Sequence, residues 1–214
     1  VVQGCYIIYG LVKLPEITFH FLYDKKIFTS MFAFAGWNLI GSGSALVMTT
    51  GHSIILNQFF GPLVNAAKGI ANTVLSKVGS LSNSFQMALN PQIYKSYATG
   101  NMEYMHKLIF ASSKFSYFLI FIISLPIIIE ADNILGFWLK EVPKYTIGFV
   151  RLLLLTTAVN ALCNPQVIAA QATGNIKKFQ MVESFTLLSI LPFTWMVLKF
   201  GLEPLSAFYI YLVI

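Results

Sequence analysis

The chain has 214 residues, of which 57% are hydrophobic, 15% aromatic and only 10% charged, with a formal net charge of +6. Soluble domains carry about 25% charged residues, so this composition excludes an ordinary cytosolic enzyme, whose surface needs that charge, and a disordered chain, which would be poor in aromatics. Two cysteines, Cys5 and Cys163, make no disulfide framework, and what remains is an all-α integral membrane protein.

The apolar run at 1–12 has no basic stretch before Val1 and reads as the end of a membrane helix, not a signal peptide. With the apolar run from Leu205 to Ile214, it reads as a chain cut from a longer protein inside a helix at each end. Lys13, Lys25 and Lys26 mark 13–30 as a loop, and the whole spans fall within 31–214. No Asp, Glu, Lys or Arg occurs between Ile27 and Asn65, and none between Leu152 and Ile176. Shorter gaps cover Val78 to Tyr94, Phe115 to Ile129 and Ser184 to Leu198. A spanning helix needs about 20 mostly apolar residues. Barrel strands would be about 10 residues long and would alternate, which these runs do not. The expected spans are 31–57, 63–91, 108–130, 147–171 and 180–199, with partial spans at 1–12 and 205–214. Gly61-Pro62 splits the longest gap, because Gly suits a helix end and Pro a helix start. Asn90-Pro91, Ala131-Asp132-Asn133 and Gly174-Asn175 read as further breaks.

Alternate loops differ in charge. One set holds Lys13, Lys25, Lys26, Lys95, Lys107, Lys177 and Lys178, whereas the 131–146 loop holds Lys140 and Lys144. The positive-inside bias places the first set in the cytoplasm. The positive charge is therefore loop charge, and no nucleic-acid partner is expected. Two of the cytoplasmic turns repeat Ala-Thr-Gly-Asn, at 98–101 and 172–175. Shared turn chemistry explains this; a duplicated helix pair, as in many transporters, explains it equally.

Polar groups at bilayer depth must face protein or water. At about 100° per residue, Asn65, Lys68, Asn72, Ser76, Gly79, Asn83, Gln86 and Asn90 form one stripe along the 63–91 span. It reads as the wall of a water-filled path. Hydrogen bonding between helices is the other reading. Asn38, Gly41, Ser42, Ala45, Thr49 and His52 form a weaker line on 31–57, and Thr157, Asn160, Asn164 and Gln171 share a face of 147–171. Lys77 lies about 120° off its helix's stripe and must face a neighbouring helix or a second cavity. Arg151 either snorkels or pairs across helices. His52 and Glu183 are the candidate ion-coupling groups, His52 because it charges near neutral pH, Glu183 as the acid well inside a span. Lys68, Lys77 and Arg151 against Glu183 make the interior cationic, which suits an anionic passenger. A drug-cation exporter would instead carry buried carboxylates. No Gly-rich phosphate loop and no metal-spaced His/Cys cluster occurs, so no cofactor, metal or catalytic residue is expected.

Several stretches carry a family resemblance: Gly36-Trp37-Asn38-Leu39-Ile40-Gly41-Ser42, Asn57 with Phe60-Gly61-Pro62, Asn65-Ala66-Ala67-Lys68-Gly69-Ile70-Ala71, and Asn90-Pro91-Gln92-Ile93. Lys95-Ser96-Tyr97-Ala98, Ser113-Lys114-Phe115-Ser116, Phe137-Trp138-Leu139 with Val142-Pro143, and Ala172-Thr173-Gly174-Asn175-Ile176-Lys177-Lys178 continue it. In this order they resemble the Wzx-like polysaccharide flippases of the MOP/MATE exporter superfamily. The resemblance implies two six-helix lobes around a central cavity, with this chain supplying most of the C-terminal lobe and 13–30 the cytoplasmic linker between lobes. It implies a non-enzymatic secondary transporter in a bacterial inner membrane. The passenger would be an undecaprenyl-pyrophosphate-linked oligosaccharide used for cell-surface polysaccharide, moved by alternating access, with H+ or Na+ as coupling ion and membrane lipids around it. Lys68 and Lys77 would attract the pyrophosphate, and Asn65, Asn72, Asn83 and Asn38 would hydrogen-bond sugar. Members of that family often carry Arg where Lys68 stands; Lys keeps the charge without the bidentate fork. The alternatives are a multidrug/cation antiporter of the same superfamily and a membrane-embedded glycan polymerase or ligase. The short outer loops speak against the last.

Overall fold

The computed structural model describes residues 24–213. The expected helix end at 1–12 and most of the 13–30 linker lie outside the described residues. Seven helices and no strand occur among those described: α1 Lys25–Phe60, α2 Pro62–Ala98, α3 Met102–Ile129, α4 Ala131–Trp138, α5 Thr146–Ala172, α6 Lys177–Lys199 and α7 Pro204–Val213. Four of them, α1, α3, α5 and α6, are long and apolar enough to cross a membrane. That is the pattern of a multi-pass membrane protein. At 37 residues α2 is the longest helix, yet its polar stripe keeps it out of that set. The outward faces agree with a lipid environment: Phe185 is 79% exposed, and Phe110 and Leu39 each 75%. In water such surfaces would aggregate.

Among the described residues a helix occupies each stretch expected from 31 onward, and the differences lie at the boundaries. α1 starts at Lys25, inside the expected linker, where the Asp24 carboxylate accepts from the Lys26 N–H and caps the helix. α2 does not stop at Asn90-Pro91 but continues to Ala98. Proline removes one helical hydrogen bond; here the carbonyl left without a donor belongs to Met87, which is exposed. The break expected at Ala131-Asp132-Asn133 is instead the start of α4. This short helix buries Ala131 and Leu135 and turns Phe137 and Trp138 outward, the placement of aromatics at a membrane interface. Arg151 pairs across helices: its Nε donates to the Ile128 carbonyl at 3.0 Å and a terminal nitrogen to Asp132 at 2.9 Å. It thereby ties the end of α3 and the start of α4 to α5.

The helices fall into two groups. α2, α3 and α5 pack against one another, with α4 resting on α3 and α5; α1 pairs with α6; α7 touches both α5 and α6. α1 and α2 meet mainly near their shared turn. Gly61 makes that turn at φ 75 and ψ −175, with Pro62 opening the next helix. In lipid, apolar burial drives little helix association. Close packing and polar contacts between helices drive it instead. α3 shows both, with Ser112, Ser113, Ser116 and Ser124 buried. The Ser113 hydroxyl donates to the Leu162 carbonyl of α5 at 2.8 Å. Gln86 of α2 donates to the Ser116 hydroxyl of α3 at 3.0 Å. Replacing Gln86 with Leu should cost about 1 kcal/mol, read as a lower Tm of the purified protein.

Gly41 lets α1 approach α6, because a Cβ there would collide with the Gln180 amide. Near one end of the pair, Lys177 lies 5.6 Å from the centre of the Trp37 ring. The obstacle at Gly41 is the tip of a flexible side chain, so Gly41→Ala should cost only about 1 kcal/mol. Adding Gln180→Ala should restore part of that loss, a non-additivity of about 0.5 kcal/mol or more in a double-mutant cycle of Tm values.

The two Ala-Thr-Gly-Asn turns share their local chemistry. Gly100 and Gly174 both have positive φ, 73 and 72, and Thr99 and Thr173 both donate back to the helix they follow. Beyond the turns the likeness ends. α2 and α3 pack together, whereas α5 and α6 make no comparable contact. Asn101 caps α3 through the Tyr104 N–H, whereas Asn175 gives α6 no side-chain cap. The structure thus carries the repeat as turn chemistry, without a duplicated packing unit.

Candidate functional site

A cavity of about 480 Å³ lies where the α1–α6 pair meets the α2–α3–α5 group. Residues 48–53 of α1, under two turns, and 68–75 of α2 line part of it, and α5 and α7 supply the rest. Its polar lining comes from Thr49, Thr50, His52 and Ser53 of α1, Lys68 and Asn72 of α2, Thr156, Thr157 and Asn160 of α5, and Tyr211 of α7. None of the lining residues is acidic.

Lys68 is the centre of the cavity. Its side chain is 9% exposed, and its ammonium donates to the Ser53 hydroxyl at 2.8 Å, to His52 Nδ1 at 3.1 Å and to the Thr49 carbonyl at 3.4 Å. Ser53 in turn donates to the same Thr49 carbonyl at 3.1 Å. The hairpin at Gly61 brings these groups together by folding α2 back beside the last turns of α1. All three acceptors are neutral. The ion pairs among the described residues, Lys107 with Glu103 and Arg151 with Asp132, lie elsewhere. A buried ammonium held only by dipoles keeps a positive potential in its cavity.

His52 is 1% exposed. Its ring stands edge-on to Phe208 at 5.1 Å and near Tyr211 at 6.2 Å, both on α7. Phe208 packs onward against Phe149 of α5, ring centres 4.3 Å apart and tilted. His52 is therefore held by packing against α7, while its Nδ1 edge faces Lys68.

The eight-residue stripe on α2 divides. Lys68 and Asn72 line the cavity. Asn65 sits beside it and donates to the Ser53 carbonyl at 3.0 Å, a bond between α1 and α2. Gln86 bonds α3, and Asn83 is exposed away from the lining set. Lys68 and Asn72 thus face a cavity, whereas Asn65 and Gln86 make the hydrogen bonds between helices that the other reading expects. Lys77 is exposed and does not line the cavity. Asn38 donates to the Phe34 carbonyl of its own helix at 3.2 Å and lies away from the cavity as well. Glu183 is half-buried on α6, outside the lining set.

Ser53, Thr50, Thr156 and Tyr211 were not among the expected site residues. Ser53 was within reach of the sequence, because folding about Gly61-Pro62 sets it opposite the start of α2. Tyr211 had no comparable signal, since only the packing of α7 across α5 and α6 brings it in. Among the described residues no three His, Cys, Asp or Glu side chains converge. No family model matches the chain, and no curated protein or solved structure matches it.

Proposed function

We propose that the chain forms most of the C-terminal lobe of a two-lobe, MATE-like exporter of the polysaccharide-flippase type in a bacterial inner membrane. It moves an undecaprenyl-pyrophosphate-linked oligosaccharide between leaflets as the lobes rock about a central cavity. The observation that carries this reading is Lys68: one buried ammonium, no acidic residue around it, and a lining of hydroxyls and amides. The cation offsets the dehydration of a phosphate group. Asn72, Asn160, Thr156 and Thr157 offer the donors and acceptors that a hydrated sugar needs. The lipid tail stays in the bilayer. Asn83 of the α2 stripe, Asn38 of α1 and Lys77 would act only in a different arrangement of the lobe. A carrier of drug cations is disfavoured, because the cavity repels them.

The test uses the full-length protein in a bacterial strain lacking its own flippase. Clearance of lipid-linked oligosaccharide from the cytoplasmic face is expected. Persistent oligosaccharide with a rise in resistance to cationic drugs would replace this reading with the antiporter. Longer glycan chains without clearance would point to a polymerase.

A further inference from the structure

Lys68 and His52 form a pair whose chemistry goes further than a single cation. An ammonium carries only donors, so the contact between Lys68 Nζ and His52 Nδ1 at 3.1 Å requires Nδ1 to be the acceptor. The imidazole in this arrangement is neutral, with its proton on Nε2, which has no well-formed hydrogen bond. An anion entering the cavity draws the ammonium toward itself. Nδ1 then loses its donor and presents a bare lone pair toward negative charge. A proton taken from solution onto Nδ1 removes that repulsion and supplies a second charge-assisted donor.

We infer that His52 is the second cation of this site: it takes up a proton when an anion is held at Lys68, so that a doubly charged, diphosphate-type group is preferred over a singly charged one. This rests on the anion-carrying function proposed above and specifies its ligand. The groups around His52 leave little else to do this. α2 contributes Lys68, α7 contributes Tyr211 beside the unreactive Phe208, and α5 contributes only Leu153, Thr156, Thr157 and Asn160. α6, on the other side of α1, brings no titratable group to the cavity. A tyrosine already holds its proton near neutral pH and cannot take up another.

The experiment is calorimetric titration of the full-length protein in lipid nanodiscs with methanedisulfonate, a fixed dianion that does not itself titrate near neutrality, and with methanesulfonate as monoanion. Repeating it in buffers of different ionisation enthalpy counts protons. Uptake approaching one proton per dianion is expected near pH 7, with His52→Gln abolishing the uptake and weakening the dianion about 10-fold. His52→Gln should weaken the monoanion less than the dianion, because one charge is met by Lys68. Dianion binding without proton uptake, or the same uptake in His52→Gln, overturns the role of His52 and leaves the anion cavity standing. Failure of the wild type to bind either anion overturns the anion cavity and the inference with it. If His52→Gln does not fold, His52→Phe makes the same comparison, and absent uptake in the wild type overturns the inference without either variant.

Discussion

Lys68→Gln should reduce movement of the lipid-linked oligosaccharide at least about 10-fold while the protein remains in the membrane at wild-type level. A charge-assisted hydrogen bond contributes about 1.5–3 kcal/mol, and about 1.4 kcal/mol is tenfold. Glutamine is close to lysine in length and retains a donor for the Ser53 hydroxyl, the nearest partner of Lys68 at 2.8 Å. The fold should therefore survive, and the lost term is the charge. Lys68→Arg keeps the charge and adds the fork that suits phosphate, so it should retain transport. The pair of variants separates charge from mere polarity. Gln86→Leu provides the contrast on the same helix and should leave transport unchanged, because Gln86 serves α3 and not the cavity. The measurement is the amount of lipid-linked oligosaccharide left on the cytoplasmic face, normalised to protein in the membrane fraction.

The largest structural effect is expected at Gly61. Its φ of 75 with ψ of −175 lies in a region that only glycine occupies readily. Nothing lies near the position a Cβ would take, so the cost of Gly61→Ala is backbone strain alone, about 1–3 kcal/mol. The consequence reaches function because the hairpin sets the register between α1 and α2. A shift there moves Lys68 away from Ser53 and His52, and Asn65 away from the Ser53 carbonyl. Gly61→Ala should lower Tm and weaken anion binding together. A Tm loss with unchanged binding would show that packing from α5 and α7 holds the Lys68 site without the turn.

Much of the architecture is legible in the sequence, for reasons that can be named. Charge-free runs mark the helices because lipid tolerates few charges, and Gly61-Pro62 marks the hairpin because both residues have unusual backbone preferences. Short elements are harder. α4 has eight residues, and its Ala131-Asp132-Asn133 start looks like a loop until Leu135 is seen buried against its neighbours. Pro91 reads as a stop, yet it sits where an exposed carbonyl can lose its donor. The site is legible by half. Periodicity finds Lys68, Asn72 and His52 because each lies on a polar line of its own helix. It cannot say that Gln86, on the same line as Lys68, faces α3, or that Asn38, on the same line as His52, bonds its own helix. Which neighbour covers which part of a stripe is set by tertiary packing, and a single helix's periodicity carries no record of it. Tyr211 joins the cavity by the same route.

The most direct test of an anion-conducting cavity centred on Lys68 uses the full-length protein in liposomes loaded with a fluorescent pyrophosphate-linked oligosaccharide. Exposure of the sugar to an added glycan-cleaving enzyme reports movement between leaflets. The account predicts movement by the wild type and by Lys68→Arg, with Lys68→Gln near the protein-free background. Equal movement by wild type and Lys68→Gln would contradict it, and so would a wild type that moves a cationic amphiphile and leaves the pyrophosphate lipid in place.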